Sequence, residues 1–93
     1  MMGGTVFMQD IHMTFNLPPE QVRKLAEDYE DDFRTCDNVA LIDWGFSCKK
    51  QHGYIVLEWV DEVAAEFVAQ VQADEQVEDY CVYDVPCCVD EYL

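Results

Sequence analysis

Four carboxylates, Asp10, Asp43, Glu58 and Asp84, sit in runs that alternate apolar and polar residues, at places where a strand turns its polar side outward. Projecting together from one sheet face, they could form a paired-carboxylate acid/base site. Outward strand positions take polar residues whatever the function, so a solvated role is the simpler expectation. His12, His52 and the five cysteines Cys36, Cys48, Cys81, Cys87 and Cys88 are residue types that bind zinc. Neither a C-x-x-C pair nor an H-x3-5-H spacing occurs, and Cys87-Cys88 lacks a neighbouring base to activate a thiol. There is no glycine-rich phosphate loop, G-x-S-x-G or H-E-x-x-H motif. Arg23 and Arg34 fall among acids, so an anion-binding site would lack its cation. The expectation is a protein that is not an enzyme, with no metal and no cofactor.

What remains is the charge. Twenty acids against five bases give a net charge of -15. The distribution is uneven: residues 1–50 hold 9 acids and all 5 bases, whereas residues 51–93 hold 11 acids and no Lys or Arg. Such a surface repels phosphate backbones and anionic membranes and attracts basic proteins. A composition that is 51% hydrophobic and 13% aromatic excludes a disordered acidic tail, because enough apolar surface is present to drive a core. The odd cysteine count, with no secretory signal pattern ahead of it, fits a reduced, cytoplasmic setting, and no apolar run approaches the ~20 residues of a membrane span.

The elements that must carry these residues follow from periodicity. Asn38 to Val60 reads as two strands joined by an exposed loop: Ala40, Ile42, Trp44 and Phe46 alternate with Val39, Leu41, Asp43 and Gly45, and Ile55, Leu57 and Trp59 alternate with Tyr54, Val56 and Glu58. A two-stranded ribbon is marginal alone and needs cover from its flanks. Upstream, Phe7, Ile11, Met13, Phe15 and Leu17 alternate with Asp10, His12, Thr14 and Asn16 as a first strand. Pro18-Pro19 ends it and opens a helix whose buried stripe is Val22, Leu25, Ala26, Tyr29 and Phe33. Within that helix, Glu20–Lys24 and Glu30–Arg34 are favourable i,i+4 pairs, while Glu27–Asp31 and Asp28–Asp32 repel. Downstream, Asp61 is placed to cap a second helix with the stripe Val63, Ala64, Phe67, Val68 and Val71, and Val77 to Val85 alternates as a fourth strand.

The order β, α, β, β, α, β predicts an α+β, ferredoxin-like sandwich, with two helices on one face of a four-stranded antiparallel sheet. Strands one and three should be central and strands two and four at the edges. Residues 1–93 form one domain in this reading, with a short flexible N-terminus over 1–4 and a tail over 87–93.

Parts of the chain resemble an RNA-recognition-motif domain. FNLPPEQVRKLAEDY is similar to that family's exit from strand one into its first helix, and HGYIVLEW to its third-strand signature, with Gly53 and Tyr54 at the glycine and first aromatic positions. LEWVDEVAAEFVAQV resembles the passage into helix two. The resemblance implies the fold, and it implies RNA binding through stacked bases on Tyr54. Val56 stands where the family places its second strand-three aromatic, Met13 where strand one carries another, and His52 where a cation is usual.

In size and charge the chain resembles small acidic inhibitors carried by phages and plasmids, of the anti-CRISPR and anti-restriction type, which act in the host cytoplasm. Fifteen charges match roughly 25 Å of duplex, in a domain about 30 Å across. The leading expectation is therefore mimicry of nucleic acid toward a basic, nucleic-acid-binding protein, without direct binding of nucleic acid or membrane. The partner-binding residues would be Glu27, Asp28, Glu30, Asp31, Asp32, Glu62, Glu66, Asp74, Glu75, Glu78 and Asp79, with Tyr29 and Tyr80 as aromatic anchors. Two alternatives compete with it. One is self-association through residues 39–46, an apolar edge without lysine or proline, giving a homodimer; the other is a divergent RNA-binding domain.

Overall fold

A computed structural model describes residues 8–85. The expected starting segment over 1–4, Phe7, the tail over 87–93 and the Cys87-Cys88 pair lie outside the described residues. The elements run β1 (Met8–Phe15), α1 (Pro19–Asp32), β2 (Val39–Ser47), β3 (His52–Val60), α2 (Ala65–Ala73) and β4 (Val77–Val85). The sheet order is β2-β3-β1-β4 and every neighbouring pair is antiparallel, which is the ferredoxin-like arrangement of an α+β domain.

Period two in β1 sends Ile11, Met13 and Phe15 to one side, all fully buried, and His12 and Thr14 to the other. Register with β3 puts these three opposite Leu57, Ile55 and Gly53, so both central strands contribute the same face to one core. Val22 and Ala26 of α1 and Val71 of α2 close that core from above. Gly53 permits the closest approach, because a Cβ there would collide with the Val22 side chain. Pro19 opens α1 without an amide hydrogen to waste, and Glu20 complements the positive end of the helix dipole. The helix then ends at Phe33 with no base in its last turn.

Three expectations are corrected. Asp61 does not cap α2: it adopts φ 69, and the helix begins at Ala65 after Ala64, with no side-chain cap. The cause is Val63, which is buried ahead of the helix and donates its amide hydrogen to Gln9 Oε1 at 3.0 Å. Strand β2 also departs from simple alternation, since Leu41 faces Leu57 while Asp43 faces Val56, leaving Ile42 as an extra residue in a bulge. Beyond the bulge the parity reverses, so Trp44 and Phe46 share the helix side with Val39 and Leu41, while Ala40 faces the open side. Met13, placed by resemblance at a base-stacking position, is instead core; the open-face residues beside Tyr54 are His12 and Thr14.

Candidate acidic and aromatic surface

The acids of α1 come first, because the helix surface is where charge can be dense. Val22 and Ala26 point into the core, which turns Glu27, Asp28, Glu30, Asp31 and Asp32 to solvent, all five exposed. Arg34 pairs with Asp31 at 3.2 Å and not with Glu30, and both partners are 72% exposed, so the pair screens little. Among the described residues Glu20 and Lys24 form no ion pair. Asp31 thus has one exposed counter-charge, while Glu27, Asp28 and Asp32 form no ion pair among the described residues.

Glu62, exposed in the segment before α2, and Glu66, exposed in its first turn, extend the acidity along the same layer. Asp74 is half-buried just past α2, where its Oδ1 accepts the Gln76 amide hydrogen at 2.9 Å, and Glu75 beside it is exposed. Glu78 and Asp79 belong elsewhere. They border a shallow groove on the open side of the sheet with His12, Lys50, His52 and Tyr54, about 630 Å³ in volume. Glu78 there lies 3.4 Å from His52 Nδ1, and the Asp79 carbonyl accepts a hydrogen bond from Thr14 Oγ1 at 3.3 Å. The eleven acids thus divide between two faces, and the sheet stands between them.

The two tyrosines also part company. Tyr80 faces the helix side opposite Met13 and its hydroxyl accepts a hydrogen bond from Gln72 Nε2 at 2.6 Å, so it is engaged within the fold. Tyr29 lies half-buried in a groove of about 370 Å³ formed mainly by the C-terminal half of α1 and the start of α2. Burial, then Asp74 and Asp32, push its phenol up to about 12. Its companions are rings: Tyr29 stacks parallel to Phe33 at 6.2 Å, Phe67 meets Tyr29 at 6.0 Å and Phe33 at 6.1 Å, and Trp59 approaches Phe67 at 4.9 Å. Asp32 and Glu66 line the same groove. Sequence reasoning placed Tyr29, Phe33 and Phe67 on core stripes and did not join them to Asp32 and Glu66. The signal was the pairing of aromatics at i,i+4 with acids one residue to the side.

On the open face, Asp10 and Glu58 are direct cross-strand neighbours, with Tyr83 on the other side of Asp10. Asp10 is only 8% exposed, and its Oδ1 has no hydrogen-bond partner among the described residues. Burial raises its carboxyl to about 6, helped by a hydrogen bond to Glu58 that only a protonated acid can donate, and by the Glu58 charge. Tyr83 is likewise raised, by burial and then by Asp10 and Cys81. Asp43 stands apart on β2 opposite Val56, its Oδ1 accepting the Trp44 amide hydrogen. Asp84 faces the helix side, against the expectation that it would join the open-face carboxylates: it pairs with Gln9 in register and accepts a hydrogen bond from Gln9 Nε2 at 2.9 Å.

Among the described residues no three His, Cys, Asp or Glu side chains gather as a metal site, and Cys36, Cys48 and Cys81 are free and exposed. No described helix is long and apolar enough to cross a membrane. Compared with known proteins, the chain matches no family profile, no curated protein and no solved structure.

Proposed function

We propose that this protein is a non-enzymatic, acidic inhibitor of the phage anti-CRISPR or anti-restriction type, which occupies the basic nucleic-acid channel of a partner protein. The observation that supports this reading is charge density on α1. Glu27 to Asp32 places five exposed carboxylates along about 7.5 Å of helix axis, close to the one charge per ~1.7 Å of duplex DNA. Association would be steered by charge and weakened by salt. Glu62 and Glu66 extend the same layer, and Tyr29 supplies an aromatic contact.

Affinity capture from host lysate, followed by competition with the captured protein's own DNA or RNA, tests the proposal. Retention should fall as salt rises, and the nucleic acid should displace the inhibitor. Simultaneous binding of both would sink the mimicry.

A second reading, self-association through β2, draws support from Ile42 and Trp44, which are 47% and 40% exposed on this edge strand. The bulge at Ile42 interrupts the ladder that a second copy would extend. Light scattering at increasing concentration distinguishes the two readings, a strict monomer removing the second.

A further inference from the structure

We propose that the groove between α1 and α2 is a seat for one arginine side chain of the basic partner. The proposal rests on the acidic-inhibitor reading and specifies where on that surface the contact is made. Four rings, Tyr29, Phe33, Trp59 and Phe67, line the groove, and Asp32 of α1 and Glu66 of α2 add carboxylates to its lining. Its volume of about 370 Å³ lies at the small end of ligand pockets, suited to one side chain and not to a folded element.

The chemistry selects the occupant. Aromatic faces attract cations through their quadrupole, and carboxylates beside them add charge-assisted hydrogen bonds. An anion would meet Asp32 and Glu66, with Asp74 close enough to raise the Tyr29 phenol. A neutral apolar side chain would desolvate those acids without pairing them. Guanidinium answers both features at once, because its plane stacks on rings while its edge donates to carboxylates. A lysine ammonium is a strongly hydrated point charge that does only the second well. No lysine or arginine of this chain lines the groove, and Arg34, next in sequence to Phe33, turns to Asp31 instead.

The experiment titrates the full chain with acetyl-Arg-Arg-Arg-amide and, separately, acetyl-Lys-Lys-Lys-amide at low salt, following aromatic ring resonances by NMR. The arginine peptide should shift the rings of Tyr29, Phe33 and Phe67, and the lysine peptide should bind about fivefold or more weakly. The charge-neutralising double variant Asp32→Asn/Glu66→Gln should lose about tenfold in affinity for the arginine peptide. A variant with the same loss of charge on the open side of the sheet, Asp43→Asn/Asp79→Asn, should lose less than about twofold. All four substitutions are at exposed positions, and wild-type chemical shifts elsewhere verify the fold. Equal affinity for the two peptides, equal losses in the two double variants, or absence of ring shifts would each overturn the seat. The two proposals fail separately: a captured partner indifferent to Asp32→Asn/Glu66→Gln would leave the inhibitor reading standing, and arginine binding without nucleic-acid competition would leave only the seat.

Discussion

Asp10 and Glu58 face each other across the two central strands, and the buried carboxyl of Asp10 can hydrogen-bond to Glu58 only when the pair retains a proton. Tyr83, the neighbour on β4, adds a third acidic group and no positive charge. The open face therefore holds a small, proton-dependent weakness.

Its pH dependence follows from the direction of the shift. Folding raises the Asp10 carboxyl from 3.8 to about 6, so the native state binds the proton more tightly than the unfolded chain. This stabilisation is fully present below 3.8 and disappears as pH rises through about 6. Asp10→Asn, which keeps the shape and needs no proton, should raise stability at pH 7.5 by about 1 kcal/mol, several degrees in Tm for a domain this size. The advantage should shrink toward zero at pH 4. Thermal unfolding of both proteins across this range checks it, and a gain independent of pH would exclude proton sharing as the cause.

Gly53 and Val22 set the distance between α1 and the sheet. Gly53→Ala should cost about 1–3 kcal/mol through overpacking, and Val22→Ala should cost a similar amount through a cavity. Combined, the two should cost less than their sum, since the new methyl enters the space that Val22 vacates. Denaturant unfolding of the double-mutant cycle measures the coupling, which additivity would refute.

Asp32 ends a helix with no base in its last turn and repels Asp28 one turn earlier. Asp32→Lys should stabilise the isolated protein by about 0.5–1 kcal/mol by reversing both effects. The same change should weaken binding to the basic partner about tenfold. Stability gained together with affinity lost is the pattern expected where acids are retained for binding. Unfolding and retention assays on one variant test both halves.

The Tyr29 phenol, raised to about 12, should ionise well above the ordinary value of 10.0. Its protonated form is the one the fold favours, so this contribution to stability holds below the ordinary value of 10.0 and is lost as pH rises through about 12. Absorbance titration should show a late tyrosine step that Tyr29→Phe removes and Asp74→Asn moves to lower pH. An unchanged step in Asp74→Asn would exclude the Asp74 charge and leave burial and Asp32 as the causes.

Local periodicity is enough to specify the two central strands, α1 and the order of elements. In each case a local period, two along Ile11, Met13 and Phe15 or near 3.6 along Val22, Ala26 and Tyr29, already states which side must leave water. It also determined the acidity of α1, because the polar side of an amphipathic helix is whatever its stripe omits. Tertiary structure alone decided the rest. Gln9 holds the Val63 amide from 54 residues away and delays α2 to Ala65; a bulge at Ile42 reverses the parity of Trp44 and Phe46; and register in the folded sheet sets Asp10 against Glu58. Asp32 and Glu66 meet four rings in one groove only after the helices pack on the sheet. These are distances between residues far apart in the chain, and a local period carries no information about them.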